Sequence, residues 1–335
     1  MKILDILLHP LRSLRSLGDS LRDIHLAVNQ LGTSIGELQR EHSQLGTSTH
    51  QLKILAGKCL VQQMRCSGAC TSVHDAEFKV FSQFGDDGII QYLVDSVPID
   101  CDRFVEFGVE NYTESNTRFL LVNKNWSGLV IDGDKNNIEY VRQDDMFWRH
   151  DLKGVHAFLN RQNINRIIRK AGFAGEVGVL SIDIDGNDYW IWEHISVVDP
   201  MLVIVEYNSI FGCTEAVTIP YTASFRRTEA HFSNLYWGAS LKALCKLGNE
   251  KGYAFVGSNS AGNNAYFLRR DKAKNIREVS SEDGYVKSKF RESRDEDGNL
   301  TYLSHEDALR VIAELPLFDL NARMTVKIKD LFLIR

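Results

Sequence analysis

The stretch SIDIDGNDYW, Ser181–Trp190, decides the fold and puts three aspartates, Asp183, Asp185 and Asp188, within six positions. It directly follows the apolar run VGVL. Carboxylates so close together repel, and a plain strand-to-helix turn does not need three. Asp183 and Asp185 are two apart on a strand and so point to one face. Gly186 ends the strand. Asp188 then falls in the first helical turn, where a negative charge suits the helix dipole. Local structure thus accounts for Asp188, and can account for Asp185. It handles Asp183 poorly, because that residue still belongs to the apolar strand. A carboxylate at the carboxyl end of a central strand faces the ligand crevice of an open α/β sheet.

The next apolar run, MLVIVEYN, ends the same way, with Glu206 and Asn208. It is apolar on both faces, as strands inside helix-covered parallel sheets are. If the two strands are neighbours, Asp183 and Glu206 converge, and a proton, a cation or a metal must lie between them. Mg²⁺ or Mn²⁺ suits such oxygen ligands. A proton relay, or hydrogen bonds to a substrate hydroxyl, explains the same residues.

Working outward, strand-like and helix-like segments alternate. FVEFGV (104–109), GLVID (128–132), 177–184 and 201–207 read as strands. Segments 115–123, 135–143, 152–171, 188–195 and 239–250 read as helices. This alternation predicts a doubly wound α/β fold. YAFVG (253–257) and AYFLR (265–269), joined by SNSAG, predict a closing antiparallel hairpin. A dinucleotide-binding dehydrogenase keeps its last strands parallel instead.

The turn after the first strand reads FVEFGVENYTES. Gly108 lets the backbone pass close to a ligand, and Glu106 lies two residues before it. Neither GxGxxG nor GxxxxGK[ST] occurs, which argues against the two common pyrophosphate sites. Asp132, at the tip of the second strand, is placed to accept hydrogen bonds from a ribose diol. Asp134 reads as the N-cap of the helix that follows. His231 is a candidate general base. Tyr221, Phe232, Tyr236 and Trp237 around it read either as an acceptor pocket or as core.

The 335 residues carry a net charge of −5, with 44% hydrophobic and 25% charged residues. The core can be sizeable, and no basic face for nucleic acid is indicated. Six scattered cysteines form no disulfide framework, which suggests a reducing, cytoplasmic setting. Cys59, Cys66 and Cys70 with His74 fit no zinc template well. No run of 18 uncharged apolar residues occurs, so no spanning helix is expected.

Residues 1–56 read as an amphipathic helix. Leu4, Leu7, Leu11 and Leu14 form one stripe. Ile24, Leu31, Leu38, Leu45 and Leu52, seven apart with Val28 and Ile35 between them, form a coiled-coil register. Residues 20–56 are therefore candidates for homo-oligomer formation. Arg12, Arg15 and Arg22 beside leucines also fit a peripheral membrane contact. Residues 57–76 read as a linker and 77–270 as the main domain. Residues 271–335 read as a charged loop followed by a helix, opened by a capping box at Ser304 and Asp307, and a peripheral strand in KIKDLFLIR.

The order EFGV, VID, LSIDIDGND, VIVEYN and closing hairpin resembles the class I S-adenosylmethionine-dependent methyltransferases, and most of all the FkbM type. The resemblance covers residues 78–270. It implies a mostly parallel seven-stranded sheet closed by an antiparallel hairpin, with the N-terminal helix as an extension. It also implies that Glu106 and Gly108 lie against the methionine part of the cofactor and that Asp132 holds the ribose hydroxyls. Asp183 would sit by the sulfonium and acceptor, and Gln83 in FSQFGDDG would close the cofactor site. Ser181 stands where that family has lysine, and Asp185 where it has glutamate. Some sugar O-methyltransferases of the broad class hold a divalent metal where Asp183 and Glu206 stand. The expected activity is O-methylation of a sugar, glycan or similar small molecule, with S-adenosylmethionine and a possible Mg²⁺. Asp183, Glu206 and His231 are the catalytic candidates. The alternatives are a metal-dependent glycosyltransferase using DID or DGND, and a non-catalytic coiled-coil scaffold.

Overall fold

The computed structural model describes residues 2–68, 70–274 and 276–332, and side chains within that range except those of 2–17, 19 and 67. Leu4, Leu7, Leu11, Leu14, Arg12 and Arg15 therefore lie outside the described side chains. The chain divides into two compact units, Met1–Leu55 and Ala56–Arg335. Helix α1 runs over Lys2–Ser67 and contributes to both. In the second unit Val61 of α1 is buried, and a side chain at Gly57 would collide with Val80 and Phe119. The helix thus continues through much of the segment read as linker, because its last turns pack into the second unit's core. No described helix is long and apolar enough to cross a membrane.

The second unit follows in chain order. Helix α2 (Asp86–Ser96) precedes strand β1 (Arg103–Phe107), α3 (Arg118–Lys124) and β2 (Ser127–Asp132). Next come α4 (Lys135–Gln143), α5 (Asp145–Arg149), β3 (Leu152–His156), α6 (Ile164–Ala171) and β4 (Gly175–Ile182). Then follow α7 (Asp188–His194), β5 (Val198–Glu206), β6 (Val217–Thr218), α8 (Arg227–Ala230), α9 (Leu241–Glu250), β7 (Tyr253–Ser258) and β8 (Asn264–Arg269). Helix α10 (His305–Val311), β9 (Pro316–Asp319), β10 (Met324–Lys327) and α11 (Ile328–Leu331) close the described chain.

Seven strands form one sheet in the order β3-β2-β1-β4-β5-β8-β7. β1 to β5 are mutually parallel, while β8 runs antiparallel to both β5 and β7. The expected doubly wound sheet with its closing hairpin is what the chain builds. The pleat explains why both faces are apolar. Val105, Phe107, Leu129 and Ile131 enter one core cluster, and Phe104 and Val130 the other. A second sheet, antiparallel and ordered β10-β9-β6, shares a third cluster with Ile312 and Ile328.

Two local expectations change. The segment 152–171 is not one helix. Leu152–His156 is an edge strand that pairs in parallel with β2, and only Ile164–Ala171 is helical. Pairing with β2 overrides the helical pattern that Leu159, Ile164, Ile167 and Ile168 suggest. The strand read in KIKDLFLIR is a helical turn, α11, with the strand β10 just before it; residues 333–335 of that stretch lie outside the described residues. Ser304 does cap α10, accepting from the Asp307 N–H at 3.2 Å.

Candidate active site

The carboxyl ends of β1 to β5 and the start of β8 border one cavity of about 950 Å³. Its walls include Gln83, Glu106, Gly108, Asp132, Asp183 and Glu206, which the sequence scatters over 124 positions, 83–206. It lies where strand order reverses between β1 and β4, the place where open α/β sheets hold ligands. The volume is in the range of small-molecule sites.

Over β1 the backbone is shaped by two residues. Gly108 has φ +69°, and a Cβ there would fall on the carbonyl oxygen of Asp183. Only glycine lets the β1 and β4 tips approach so closely. Glu106 lies on the Phe104 face of the sheet and so points toward the chain entering α3. Its Oε1 accepts from the Asn116 N–H at 2.8 Å. Its Oε2 accepts from the Thr117 N–H at 3.1 Å, the Ser115 hydroxyl at 3.1 Å and the Thr117 hydroxyl. Glu106 thus acts on residues 115–117, fixing the end of the loop that walls the cavity. Beside it, the Asn116 amide donates to Ser181, the serine that stands in place of lysine.

Asp132 ends β2. Its carboxylate accepts from the N–H groups of Glu110 and Asp134 at 2.8 and 2.7 Å, and from the Asn137 amide at 3.1 Å. These bonds orient the group and leave acceptor capacity for a ligand. Asp134 is the N-cap of α4, accepting from the Asn136 N–H. On the Gln83 side, Asp87 gathers the N–H groups of Val80, Phe81 and Ser82 and so pins the loop that carries Gln83.

Over β4 and β5, Asp183 lies just past its strand, and Glu206 ends the neighbouring one. The two carboxyl groups are close enough to act on each other's ionisation. Burial first, and then the nearby acids, hold both well above the usual carboxylate range. The protonated form is favoured over two adjacent charges. Asp188 plays the local role expected of it. It accepts from the Ile184 and Gly186 N–H groups at 2.8 and 2.9 Å, and burial pushes it up to about 6. Asp185 sits at φ +55° and takes a 2.7 Å bond from Arg227. Arg227 also donates to the Asn234 carbonyl and lies over the Trp237 ring.

Arg227 escaped the sequence reading. An arginine in TASFRRTEAH carries no local signal, and only the tertiary fold brings it to the acidic turn. Asn263 and Asn264 were missed as well. Antiparallel pairing sets Asn264 opposite Glu206 at the same rim. Phe84 and Phe290 stack at 5.7 Å between centroids, and with Phe158 and Phe225 they supply the aromatic wall.

His231 is not among the lining residues; its Nδ1 meets the Ser233 hydroxyl at 2.7 Å. The aromatics around it are likewise elsewhere. Trp237 is buried, Tyr236 is buried and bonds the Pro316 carbonyl, and Tyr221 bonds the Arg161 N–H. The core alternative describes Tyr236 and Trp237. As for metal, Asp183 and Glu206 are two oxygen donors. Among the described residues no group of three or more His, Cys, Asp or Glu side chains is placed to hold an ion.

No family model matches the chain, and no curated protein matches it. Among solved structures, the N-terminal domain of EvdMO1 with SAH bound has a TM-score of 0.37 at 10% identity, over 56% of this chain and 80% of that one. The same domain in the presence of SAH and D-fucose scores 0.35 at 11% identity, over 57% and 87%. TehB from Haemophilus influenzae scores 0.31 at 13% identity, over 51% of this chain and 58% of that one.

Proposed function

We propose that the chain is an S-adenosylmethionine-dependent O-methyltransferase acting on a hydroxyl of a sugar, glycan or similar small molecule. The observation that carries the reading is that Asp183 and Glu206, from neighbouring strand ends, line one cavity with Gly108 and Asp132. The cavity's residues fit such a cofactor. Asp132 offers oriented acceptor capacity to a diol, and the loop fixed by Glu106 passes close by. The acidic floor under β4 and β5 suits a cationic group. When bound, the cofactor supplies an electrophilic methyl on a sulfonium, which transfers to the acceptor oxygen and leaves S-adenosylhomocysteine.

The chain's own task is then to align that hydroxyl and take its proton. The hydroxyl proton passes to an ionised carboxylate of the Asp183–Glu206 pair as the oxygen–methyl bond forms. Arg227 offsets the charge of Asp185, which raises both acids of the pair, and itself favours the ionised form of Glu206. The glycosyltransferase reading asks for free carboxylates in DID or DGND. Arg227 engages Asp185, and backbone N–H groups engage Asp188.

Calorimetric titration with S-adenosylhomocysteine and with a nucleotide sugar separates these readings. Micromolar binding of the first is expected, weakened at least ~10-fold by Asp132→Ala, since a lost hydrogen bond to a charged group costs about 1.5–3 kcal/mol. Binding of the nucleotide sugar alone would reject the proposal. Once an acceptor is in hand, Asp183→Asn is expected to lower kcat by about 10²–10⁴-fold while cofactor affinity changes little.

A further inference from the structure

In the first unit α1 carries a row of large apolar side chains with nothing over them. Leu21, Ile24, Val28, Leu31, Ile35, Leu38, Leu45 and Leu52 are 47–66% exposed. We infer that this row is the seam of a parallel, in-register, two-stranded coiled coil with a second copy of this chain.

The period identifies a coil. Ile24, Leu31, Leu38, Leu45 and Leu52 recur every seventh residue. A straight helix drifts by about 20° per heptad against a strict seven-residue repeat. Over four heptads the row would turn by roughly 80° away from a flat surface, and only a supercoiled partner follows it.

The residue types choose the number of strands and their direction. Starting at Val28, one core position holds Val28, Ile35, His42 and Thr49, three of them β-branched. The other holds Leu31, Leu38, Leu45 and Leu52. In a parallel coil, β-branched residues at the first position and leucine at the second favour two strands. His42 is the single charge-capable residue among these eight and sets the register, since a polar group in the seam is tolerated best opposite its own copy. The flanking pairs in that arrangement are Ala27 with Gly32, Ser34 with Gln39, Glu41 with Gly46 and Ser48 with Lys53. None sets like charges together. Covering eight such side chains removes on the order of 800 Å² per helix, the size of a stable interface.

A lipid surface fits less well. Residues 20–55 contain no Phe, Trp or Tyr. Their basic residues, Arg22, Arg40 and Lys53, equal in number the acidic Asp23, Glu37 and Glu41. An interfacial helix wants a basic excess and a wide apolar face.

The full-length protein in light scattering or sedimentation is expected to show twice the 38.1 kDa chain mass. Leu38→Asp with Leu45→Asp is expected to halve it, with the fold of the second unit checked by near-ultraviolet circular dichroism. For direction, Leu31→Cys and Leu52→Cys are made separately in a Cys59→Ser, Cys66→Ser background and oxidised. Both are expected to give a disulfide-linked dimer, whereas an antiparallel pair can set at most one of them opposite itself. A monomer, a trimer or tetramer, cross-linking at only one position, or a monomer that floats with phosphatidylcholine–phosphatidylglycerol vesicles would each overturn the inference. The result does not depend on the methyltransferase reading, which the cofactor titration tests.

Discussion

At the scale of single residues, the site is held by side chains that cannot be exchanged for their nearest relatives. Gly108 combines a left-handed backbone with contact against the Asp183 carbonyl. Gly108→Ala must move the β1 or β4 tip, and a loss of about 2–4 kcal/mol is expected in urea unfolding. An unchanged midpoint would show that the tips are free to part. Glu206 carries the opposite kind of cost. Its folded-state pKa is raised by burial and then by Asp183, so its stabilising share is full below the unfolded value and is lost as pH rises through the folded one. Glu206→Gln removes that loss. The variant is expected to be more stable than the parent by about 1–2 kcal/mol at pH 8, with the gap closing toward pH 4. A variant less stable at pH 8 would show that burial does not raise the folded-state pKa of Glu206.

At the scale of elements, the acidic ends of the strands divide into builders and candidates for chemistry. Glu106, Asp87, Asp134 and Asp188 each receive backbone N–H groups at the start of a helix or beside it. They fix the loops. Asp132 does the same for the N–H groups of Glu110 and Asp134 but also lines the cavity, as Asp183 and Glu206 do. Glu106→Ala would orphan the Asn116 and Thr117 N–H groups, at about 1–3 kcal/mol each. Faster amide hydrogen exchange over 108–117 is the expected sign. Exchange unchanged there would move Glu106 from builder to ligand contact. The FVEFGVENYTES motif singles out Glu106, but which partner it takes depends on the α3 entry folding back over β1.

At the scale of the molecule, the two units have separate sources of stability. The three core clusters are drawn entirely from the second unit. Among its described side chains the first unit offers the exposed row on α1. Leu38→Asp with Leu45→Asp is therefore expected to leave the main thermal transition within about 2 °C of the parent, since distant sites act independently. A large drop would mean that the second unit's core depends on the coil. The cavity is likewise a property of the whole sheet, because it needs six strand ends in one rim.

The sequence by itself determined the strand order's local signs: apolar runs ending in acids, the glycine after β1, the hairpin at the close and the heptads of α1. These are written in neighbouring residues, so period and turn chemistry reveal them. Only the tertiary structure decided that Leu152–His156 is a strand, that Glu106 serves a loop, and that Arg227 and Asn264 join the acids while His231 does not. Those outcomes depend on which distant segments pair and cover one another, and no local pattern carries that information.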